Sequence, residues 1–230
     1  MKFLVMFFIR FFDVFLSLSA MIVLLPFMTP IMIILKLTGE HDIFYVQKRV
    51  GRNGKEFGLF KFATMLRDSP NLPGGFFTSE NDPRVLYPLG NFLRKSKINE
   101  LPQIVNILLG QMSIVGYRPL VKGSYEHYSD DVKRQLYDFK PGLSGISSII
   151  LRNEEKIMQK VDGQKYFYDN VIRPYKGKLE TWYVNNISVL MYVKIILITI
   201  VVVIKPSSDI WKKSFENLPR VPEALEKYVN

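Results

Sequence analysis

Among the acidic residues, Glu100 has the sequence context that most directly suggests a catalytic role. It lies in KINELPQIVN, residues 97–106, where the apolar positions 101, 104, 105 and 108 predict one buried helical face. Asn99 stands where a helix cap is expected, so Glu100 falls in the first turn, beside backbone N–H groups that lack partners inside the helix. A carboxylate there stabilises a helix by about 0.3–1 kcal/mol without any catalytic role. The spacing alone leaves a structural role and a chemical role both open.

Phosphate binding is the second chemistry that the residue types allow. The sequence has no GxGxxG, GKS or GKT loop, so basic side chains and a helix start would have to hold a phosphate. Arg118 is the best placed, because it lies between Gly116 and Pro119 in a stiff turn, where a fixed guanidinium suits bidentate phosphate binding. The full set of basic candidates is Lys48, Arg49, Lys61, Arg84, Arg94, Lys95, Lys97 and Arg118.

Composition limits the classes of function. The 230 residues suit one domain, and 31 Lys and Arg against 21 Asp and Glu give a formal charge of +10. This charge favours a phosphate-rich partner, whether nucleic acid, anionic lipid or nucleotide. The sequence contains no cysteine and two histidines, which excludes disulfides, thiol catalysis and cysteine zinc sites and disfavours a histidine triad.

The N-terminal segment predicts a membrane element. Residues 14–35 carry no charge and are long enough, at about 1.5 Å per helical residue, to cross a hydrocarbon core of about 30 Å. Pro26 and Pro30 predict a kink or a break near Pro26. Basic residues flank both ends, so charge does not orient the segment. A helix that breaks at Pro26 and returns to the same side and a kinked single span both remain open.

The remaining chain predicts an aqueous-facing domain that contains both strands and helices. Two apolar runs flank an Asn53–Gly54 turn and predict a β-hairpin over residues 43–62. A second long apolar run, 187–204, predicts a helix or strand against the membrane or the core, because its later half is rich in β-branched residues. Between them we expect a loop over 67–90, helices over 88–97 and 100–110, a short apolar stretch at 112–116 and a turn at 140–145.

The stretch RKSKINELPQIVNILLGQMSIVGYRPL, residues 94–120, resembles the signature of the bacterial sugar transferase family, the monotopic phosphoglycosyl transferases. The usual family form is closer to a DELPQ helix followed by GDMSxVGPRP. Further segments fall in family order along nearly the whole chain: RFFDVFLSLSAMIVLLP, QKRVG, FGLFKFATM, TSENDPRV, KPGLSG and WYVNNIS. Because so many ordered matches are more specific than any single motif, the chain is identified as a member of this family.

Membership implies a transfer reaction at the cytoplasmic face of the bacterial inner membrane. A sugar 1-phosphate would pass from a UDP-sugar, which we expect to carry an N-acetylated amino sugar, to undecaprenyl phosphate, with release of UMP. This step begins the synthesis of a capsule, O-antigen, exopolysaccharide or glycoprotein glycan. The resemblance also implies a re-entrant membrane segment over residues 1–40, broken at Pro26. Residues 41–230 would then form a small cytoplasmic catalytic domain of the α+β class with membrane-associated amphipathic helices.

The resemblance also assigns roles to individual residues. Glu100 is matched to the family's acidic pair and is expected to hold Mg2+, which prefers carboxylate oxygen and water. Arg118 is expected to hold phosphate oxygens or the uridine half of the donor, with Arg94 in the same pocket. Further substrate-binding residues are expected to be Lys61, Asp82, Arg84, Arg152 and Glu180, with Glu154 and Glu155 beside Arg152 at the sugar pocket.

Asn99 is the main departure from the family, which usually has an aspartate nucleophile at this position. Asparagine caps a helix about as well as aspartate, but a neutral amide is a poor nucleophile toward phosphorus. Three accounts stay open: Glu100 attacks in its place, the lipid phosphate attacks the UDP-sugar directly, or the chain binds without catalysis. Two milder departures are Ala63, where the family often has a basic residue, and Tyr117, which replaces the first proline of the PRP-like turn.

A catalytically silent membrane scaffold that binds lipid or a partner enzyme is therefore the alternative function. A membrane-tethered nucleic-acid binder would also suit the positive charge, but no recognisable motif supports it, so nucleic acid is not an expected partner. The expected partners are a UDP-sugar, undecaprenyl phosphate and inner-membrane lipids, and the sequence leaves homo-oligomer formation open.

Overall fold

The computed structural model describes residues 2–69, 71–72 and 82–229, so part of the predicted loop over 67–90 lies outside the described residues. The helices are α1 (Lys2–Leu37), α2 (Leu89–Lys95), α3 (Gln103–Leu108), α4 (Lys122–Glu126), α5 (Asp130–Leu136), α6 (Ile146–Ile150), α7 (Glu154–Gln159), α8 (Gln164–Phe167), α9 (Arg173–Asn185), α10 (Val189–Ile204), α11 (Ile210–Ser214) and α12 (Glu223–Val229). The strands are β1 (Phe44–Val50), β2 (Glu56–Phe62), β3 (Ser113–Val115) and β4 (Gly142–Ser144). This mixture of helices and small sheets agrees with the predicted α+β class.

The chain forms two compact units. The hairpin unit comprises Phe12–Lys48 and Gly58–Gly110, and the C-terminal unit comprises Met1–Phe11, Arg49–Phe57 and Gln111–Asn230. The sequence predicts a different division, by location, into a membrane segment, 1–40, and a cytoplasmic domain, 41–230. That division stays a prediction.

Helix α1 continues without interruption through Pro26 and Pro30. At about 1.5 Å per residue its 36 residues extend over roughly 54 Å. Among the described residues, α1 is the one helix long and apolar enough to cross a membrane. Because Pro30 follows Pro26 by four residues, the two prolines disturb a single short stretch, and the long helical segment before Pro26 sustains the helix. The structure does not show the break predicted at Pro26, and re-entry stays a prediction.

Strands β1 and β2 form the predicted hairpin, and they meet at a 3₁₀ turn over Arg52–Gly54. Asn53 and Gly54 both adopt the left-handed region, with φ of 59° and 68°, as an Asn-Gly turn predicts. One buried cluster of the hairpin unit contains Leu35, Phe62 and Leu93, with Met28, Ile31, Met32, Ile43, Leu89 and Ile98 packed against it. The C-terminal part of α1 is thereby packed against β2 and α2.

The helices predicted over 88–97 and 100–110 are present as the shorter α2 and α3. Helix α3 begins only at Gln103, after Pro102, because proline suits a helix start, where an N–H would have no intrahelical partner. The prediction that Asn99 caps this helix is wrong, since Asn99 lies within a preceding 3₁₀ turn, Ile98–Glu100.

In the C-terminal unit, β3 and β4 pair in parallel, with Ser113 opposite Gly142 and Val115 opposite Ser144. The KPGLSG segment, predicted as a turn, therefore contains a strand. The pairing requires glycine, because a Cβ atom on Gly142 would lie 2.1 Å from the backbone nitrogen of Gly116.

The apolar run 187–204, left open between helix and strand, forms helix α10. Ser188 caps it by accepting a hydrogen bond from the Met191 N–H at 3.0 Å. Helix α10 packs on α6, β3 and β4, while α9 packs on α5 and α6. The opposite side of α10 leaves large apolar residues exposed, namely Leu190, Leu197, Ile200, Val203 and Ile204. Exposed apolar area of this kind is typical of a contact surface.

We expect Gly142→Ala to destabilise the protein, because the added methyl meets backbone atoms that cannot move aside cheaply. The overpacking cost should reach about 1–3 kcal/mol, seen as a lower midpoint in detergent-solubilised thermal unfolding. The matched control is Gly123→Ala in α4, where an added Cβ meets nothing within 4 Å, so its midpoint should stay level or rise slightly. Equal midpoints for Gly142→Ala and wild type would contradict the close β3–β4 approach.

Candidate active site

The structure brings together two of the predicted site residues, Glu100 and Lys61. The Lys61 Nζ lies 3.4 Å from the Glu100 Oε1, and the two side chains are 19% and 21% exposed. Lys61 lies on β2, and Glu100 ends the 3₁₀ turn before α3. A carboxylate and an ammonium group at one partly open point suit a substrate that brings phosphate together with a cation.

Asn106 fixes the position of α3 on β2. Its Oδ1 accepts a hydrogen bond from the Phe60 N–H at 3.0 Å, and its Nδ2 donates to the Gly58 carbonyl at 2.7 Å. The side chain is fully buried, and its amide continues the hydrogen bonding of the strand into the helix. Because Phe60 immediately precedes Lys61, this contact also sets where Lys61 lies relative to the helix that follows Glu100.

Sequence reasoning missed Asn106. The predicted buried face included Ile104, which is buried, and Val105, which is exposed. Asn106 and Ile107, which the prediction left out of that face, are buried. The available signal was a lone amide inside an otherwise apolar helical run, where a polar side chain needs a specific partner if it is buried.

Asn99 lies beside Glu100 and is 6% exposed. Among the described residues its Oδ1 has no hydrogen-bond partner. An unsatisfied buried acceptor costs about 1–3 kcal/mol, so this position is not optimised for stability alone.

Asp82 and Arg84, predicted to bind substrate, instead form a buried ion pair with each other. The Arg84 Nη2 lies 2.6 Å from the Asp82 Oδ2 and the Nε lies 2.8 Å from the Oδ1, with side chains 4% and 5% exposed. The Arg84 guanidinium holds the pKa of Asp82 down at about 2. This geometry favours a structural role at the end of the loop over an open anion site.

Arg94 also belongs to the hairpin unit. Its Nη1 lies 3.3 Å from the Met65 Sδ, and its charge contributes to the lowered pKa of Asp82. The structure therefore places Arg94 beside Met65 and within electrostatic range of the Asp82–Arg84 pair. A role for Arg94 in the pocket of Glu100 stays a prediction.

Arg118 lies in the C-terminal unit, in the irregular segment 116–120 that begins with a bend at Gly116 and that we call the Arg118 turn. Its backbone N–H donates to the Glu180 Oε1 at 3.2 Å. The next carbonyl, that of Pro119, accepts from the Arg49 Nη1 at 3.0 Å. Arg49, a predicted phosphate candidate, thus holds the turn that carries Arg118.

Glu180 is an internal group rather than the direct substrate ligand that the sequence predicts. It is 1% exposed, and the Ser147 hydroxyl and the Arg118 N–H both donate to its Oε1. Burial raises the pKa of Glu180 to about 7. Sequence reasoning missed Ser147, whose only signal was a hydroxyl inside the apolar run that follows KPGLSG.

The predicted sugar-pocket residues also lie in the C-terminal unit. Arg152 is half-buried, burial lowers its pKa, and its Nη1 lies 3.5 Å from the Ile149 carbonyl. Glu154 pairs with the buried Lys176 at 2.6 Å. Contact of Arg152 with a sugar stays a prediction.

Few side chains of the described residues could bind a metal ion together. The described part of the chain has no group of three or more His, Asp or Glu side chains that could share an ion. Magnesium needs fewer protein ligands, because it keeps waters and is often bound by one or two carboxylates plus substrate phosphates. The partly exposed Glu100 carboxylate fits that requirement.

The sequence profile described as bacterial sugar transferase matches residues 4–206. The chain belongs to this family. The matched region includes most of α1 and everything as far as α10, and therefore all the residues discussed above. Helices α11 and α12 follow it.

Named relatives agree with this membership. The exopolysaccharide production protein PSS of Rhizobium leguminosarum is 33% identical over 202 residues, which cover 84% of this chain and 92% of that protein. The galactosyl transferase CpsE of Streptococcus agalactiae is 37% identical over 70% of this chain, and the undecaprenyl-phosphate galactose phosphotransferase of Salmonella typhimurium is 33% identical over 77%. The matched region spans only 34% and 36% of those two longer proteins.

We expect Asp82→Asn to cost about 3–5 kcal/mol of stability at neutral pH, because it leaves the Arg84 charge buried without its partner. The matched control is Asp42→Asn, which breaks an exposed Arg–Asp pair with Arg67 and should change stability little. Denaturant unfolding in detergent measures both variants.

The pH dependence of the same measurement has a definite sign. Since the pKa of Asp82 is lowered in the folded state, the ion pair stabilises the protein above about pH 4, and this contribution is lost as the pH falls toward 2. The difference between wild type and Asp82→Asn should therefore narrow below pH 4. A stability difference between wild type and Asp82→Asn that stays constant below pH 4 would contradict the lowered pKa of Asp82 in the folded protein.

Proposed function

We propose that this chain transfers a sugar 1-phosphate from a UDP-sugar to undecaprenyl phosphate, with release of UMP, as the first membrane step of polysaccharide or glycoconjugate synthesis. The observation that carries the proposal is the Lys61–Glu100 pair, held at 3.4 Å in a chain of the bacterial sugar transferase family. Relatives named for the transfer of galactose phosphate and glucose phosphate to undecaprenyl phosphate support it.

The chemistry requires positive charge at the diphosphate. An oxygen nucleophile attacks the phosphorus that bears the sugar, the bond from that phosphorus to the bridging oxygen breaks, and UMP leaves with that oxygen. Lys61, beside Glu100, is the cation that we assign to the phosphate charge. Mg2+ bound by Glu100 would add further neutralisation of the diphosphate.

Asn99 removes the usual covalent route, because an amide does not form an acyl phosphate. Glu100 is an unfavourable substitute, since its carboxylate is already paired with Lys61 and assigned to the metal. We therefore assign the attack to the lipid phosphate itself, in a complex that holds donor and acceptor together. The Asn99 oxygen, buried and without a partner among the described residues, would contact a group of that complex.

The donor sugar is the finer part of the proposal. The expectation from the sequence is an N-acetylated amino sugar, whereas relatives carry galactose or glucose in their names. A panel of UDP-N-acetylglucosamine, UDP-N-acetylgalactosamine, UDP-glucose and UDP-galactose separates these sugars.

Exposed apolar surface supports a membrane location. Helix α1 is long and apolar enough to cross a membrane, and many large side chains on it are exposed, among them Phe3, Phe7, Phe11, Ile22 and Phe27. A lipid acceptor with a phosphate headgroup suits a chain with this surface and a charge of +10. We assign the reaction to the cytoplasmic face of the inner membrane, where the UDP-sugar donor would be available.

We expect purified wild-type protein in nanodiscs with Mg2+ to release UMP from a UDP-sugar only when undecaprenyl phosphate is present. Glu100→Gln should lower the rate by about 100-fold or more, because it removes the charge assigned to the metal. The matched control, Glu126→Gln on exposed α4, should keep the wild-type rate.

Two outcomes would contradict this account in different ways. A burst of up to one UMP per chain without lipid would replace direct attack with a covalent step. No release from wild type with any donor, together with release from Asn99→Asp, would favour the catalytically silent scaffold.

A further inference from the structure

Glu180 joins three separate elements at one carboxylate oxygen. Its Oε1 accepts from the Arg118 N–H, which follows β3, and from the Ser147 hydroxyl on α6, while Glu180 itself lies on α9. Glu180 and Ser147 are each 1% exposed. Among the described residues the other oxygen, Oε2, has no hydrogen-bond partner.

The Arg118 N–H donates to Glu180 rather than to the neighbouring strand, because the adjacent backbone groups are already paired or lack a hydrogen to donate. Tyr117 continues the β3–β4 pairing, and its carbonyl accepts from the Gly142 N–H at 2.8 Å. Pro119 has no N–H to donate. The Arg118 N–H therefore turns away from the sheet and is satisfied by Glu180, and a buried N–H without an acceptor would be costly.

We propose that Glu180 and Ser147 are positioning residues that hold the Arg118 turn through its backbone N–H, and that the protonation of Glu180 tunes the affinity of Arg118 for an anionic substrate group. The inference rests on the proposed function in one respect, since it takes the UDP-sugar donor to be the anionic substrate that Arg118 contacts.

The charges around Glu180 allow such tuning. Burial raises its pKa to about 7, while the hydrogen bonds and the charges of Arg118 and Lys176 act in the opposite direction. Tyr117 and Tyr128 also face it, and burial raises the pKa of both phenols, so they stay neutral near pH 7. Glu180 is therefore the group in this set that changes charge in the neutral range.

Protonation changes the charge without releasing the turn. A proton on Oε2 leaves both hydrogen bonds at Oε1 in place, because that oxygen still accepts. The negative charge that partly cancels the Arg118 guanidinium then disappears. Arg118 should attract an anion more strongly when Glu180 is neutral, and binding of the anion should in turn favour the protonated form.

The test is the affinity of the full-length protein for a UDP-sugar, measured by calorimetry in nanodiscs without lipid acceptor at pH 6 and pH 8. The donor suits this test because its diphosphate lacks the second phosphate ionisation near pH 6 that a terminal phosphate has. Affinity for wild type should fall several-fold between pH 6 and pH 8. Glu180→Gln should hold the high affinity at both values, because its neutral amide keeps an oxygen for Arg118 and Ser147.

Ser147→Ala provides a second variant that keeps Glu180. It removes a hydrogen bond that favours the charged carboxylate, so the fall in affinity should move to higher pH. Glu126→Gln should reproduce the wild-type profile, and thermal unfolding confirms that each variant is folded.

The same pH dependence in wild type and Glu180→Gln, or none in wild type, would overturn the inference. The UMP release assay, run in parallel with undecaprenyl phosphate, separates it from the proposed function. Affinity that varies with pH only when Glu180 is present supports the inference even if no UMP is released.

Discussion

The pairing of Glu100 with Lys61 depends on one buried amide. Asn106 exchanges two hydrogen bonds with the backbone of β2, and both can form only when α3 lies on that strand in one register. A shift of one residue along β2 would place a side chain from the opposite face where Lys61 lies. Because the amide is fully buried, any other register would leave its polar atoms unsatisfied. The charges proposed to act on the diphosphate are thus positioned by a residue with no chemistry of its own.

The position of Arg118 is also fixed by residues that have no proposed role in the reaction itself. Gly116 allows the backbones of β3 and β4 to approach closely, and Arg49 and Glu180 then bind the carbonyl and N–H groups that the turn leaves over. In the hairpin unit Asn106 fixes the backbone next to Lys61, and in the C-terminal unit Arg49 and Glu180 fix the backbone that carries Arg118. Such rigid support is what a site needs if it is to favour a transition state over a ground state.

Local patterns predicted the parts of the fold that local physics determines. The Asn53–Gly54 hairpin and the α2 region follow from turn chemistry and periodicity, and both are present. The strand in KPGLSG could not be found in this way, because it exists only through its pairing with β3. The cap assigned to Asn99 failed because Pro102 moves the start of the helix.

The site was predictable to the extent that motifs carry it. Glu100, Lys61 and Arg118 were found from their sequence context, and their roles in the site stay predictions. The contact between Lys61 and Glu100 that the structure shows was not predicted. The mutual pairing of Asp82 with Arg84 and the burial of Glu180 were not visible, because burial depends on which distant elements cover a residue. Asn106 and Ser147 were missed for the same reason.

The most direct test follows the phosphorus atom. A UDP-sugar radiolabelled in the phosphate attached to the sugar is incubated with wild-type protein, Mg2+ and undecaprenyl phosphate, and the lipid and water phases are separated. The account predicts that label and sugar enter the lipid in equal amounts, and that UMP appears in the water phase. Sugar in the lipid with the label retained in soluble UDP would show glycosyl transfer and contradict the account.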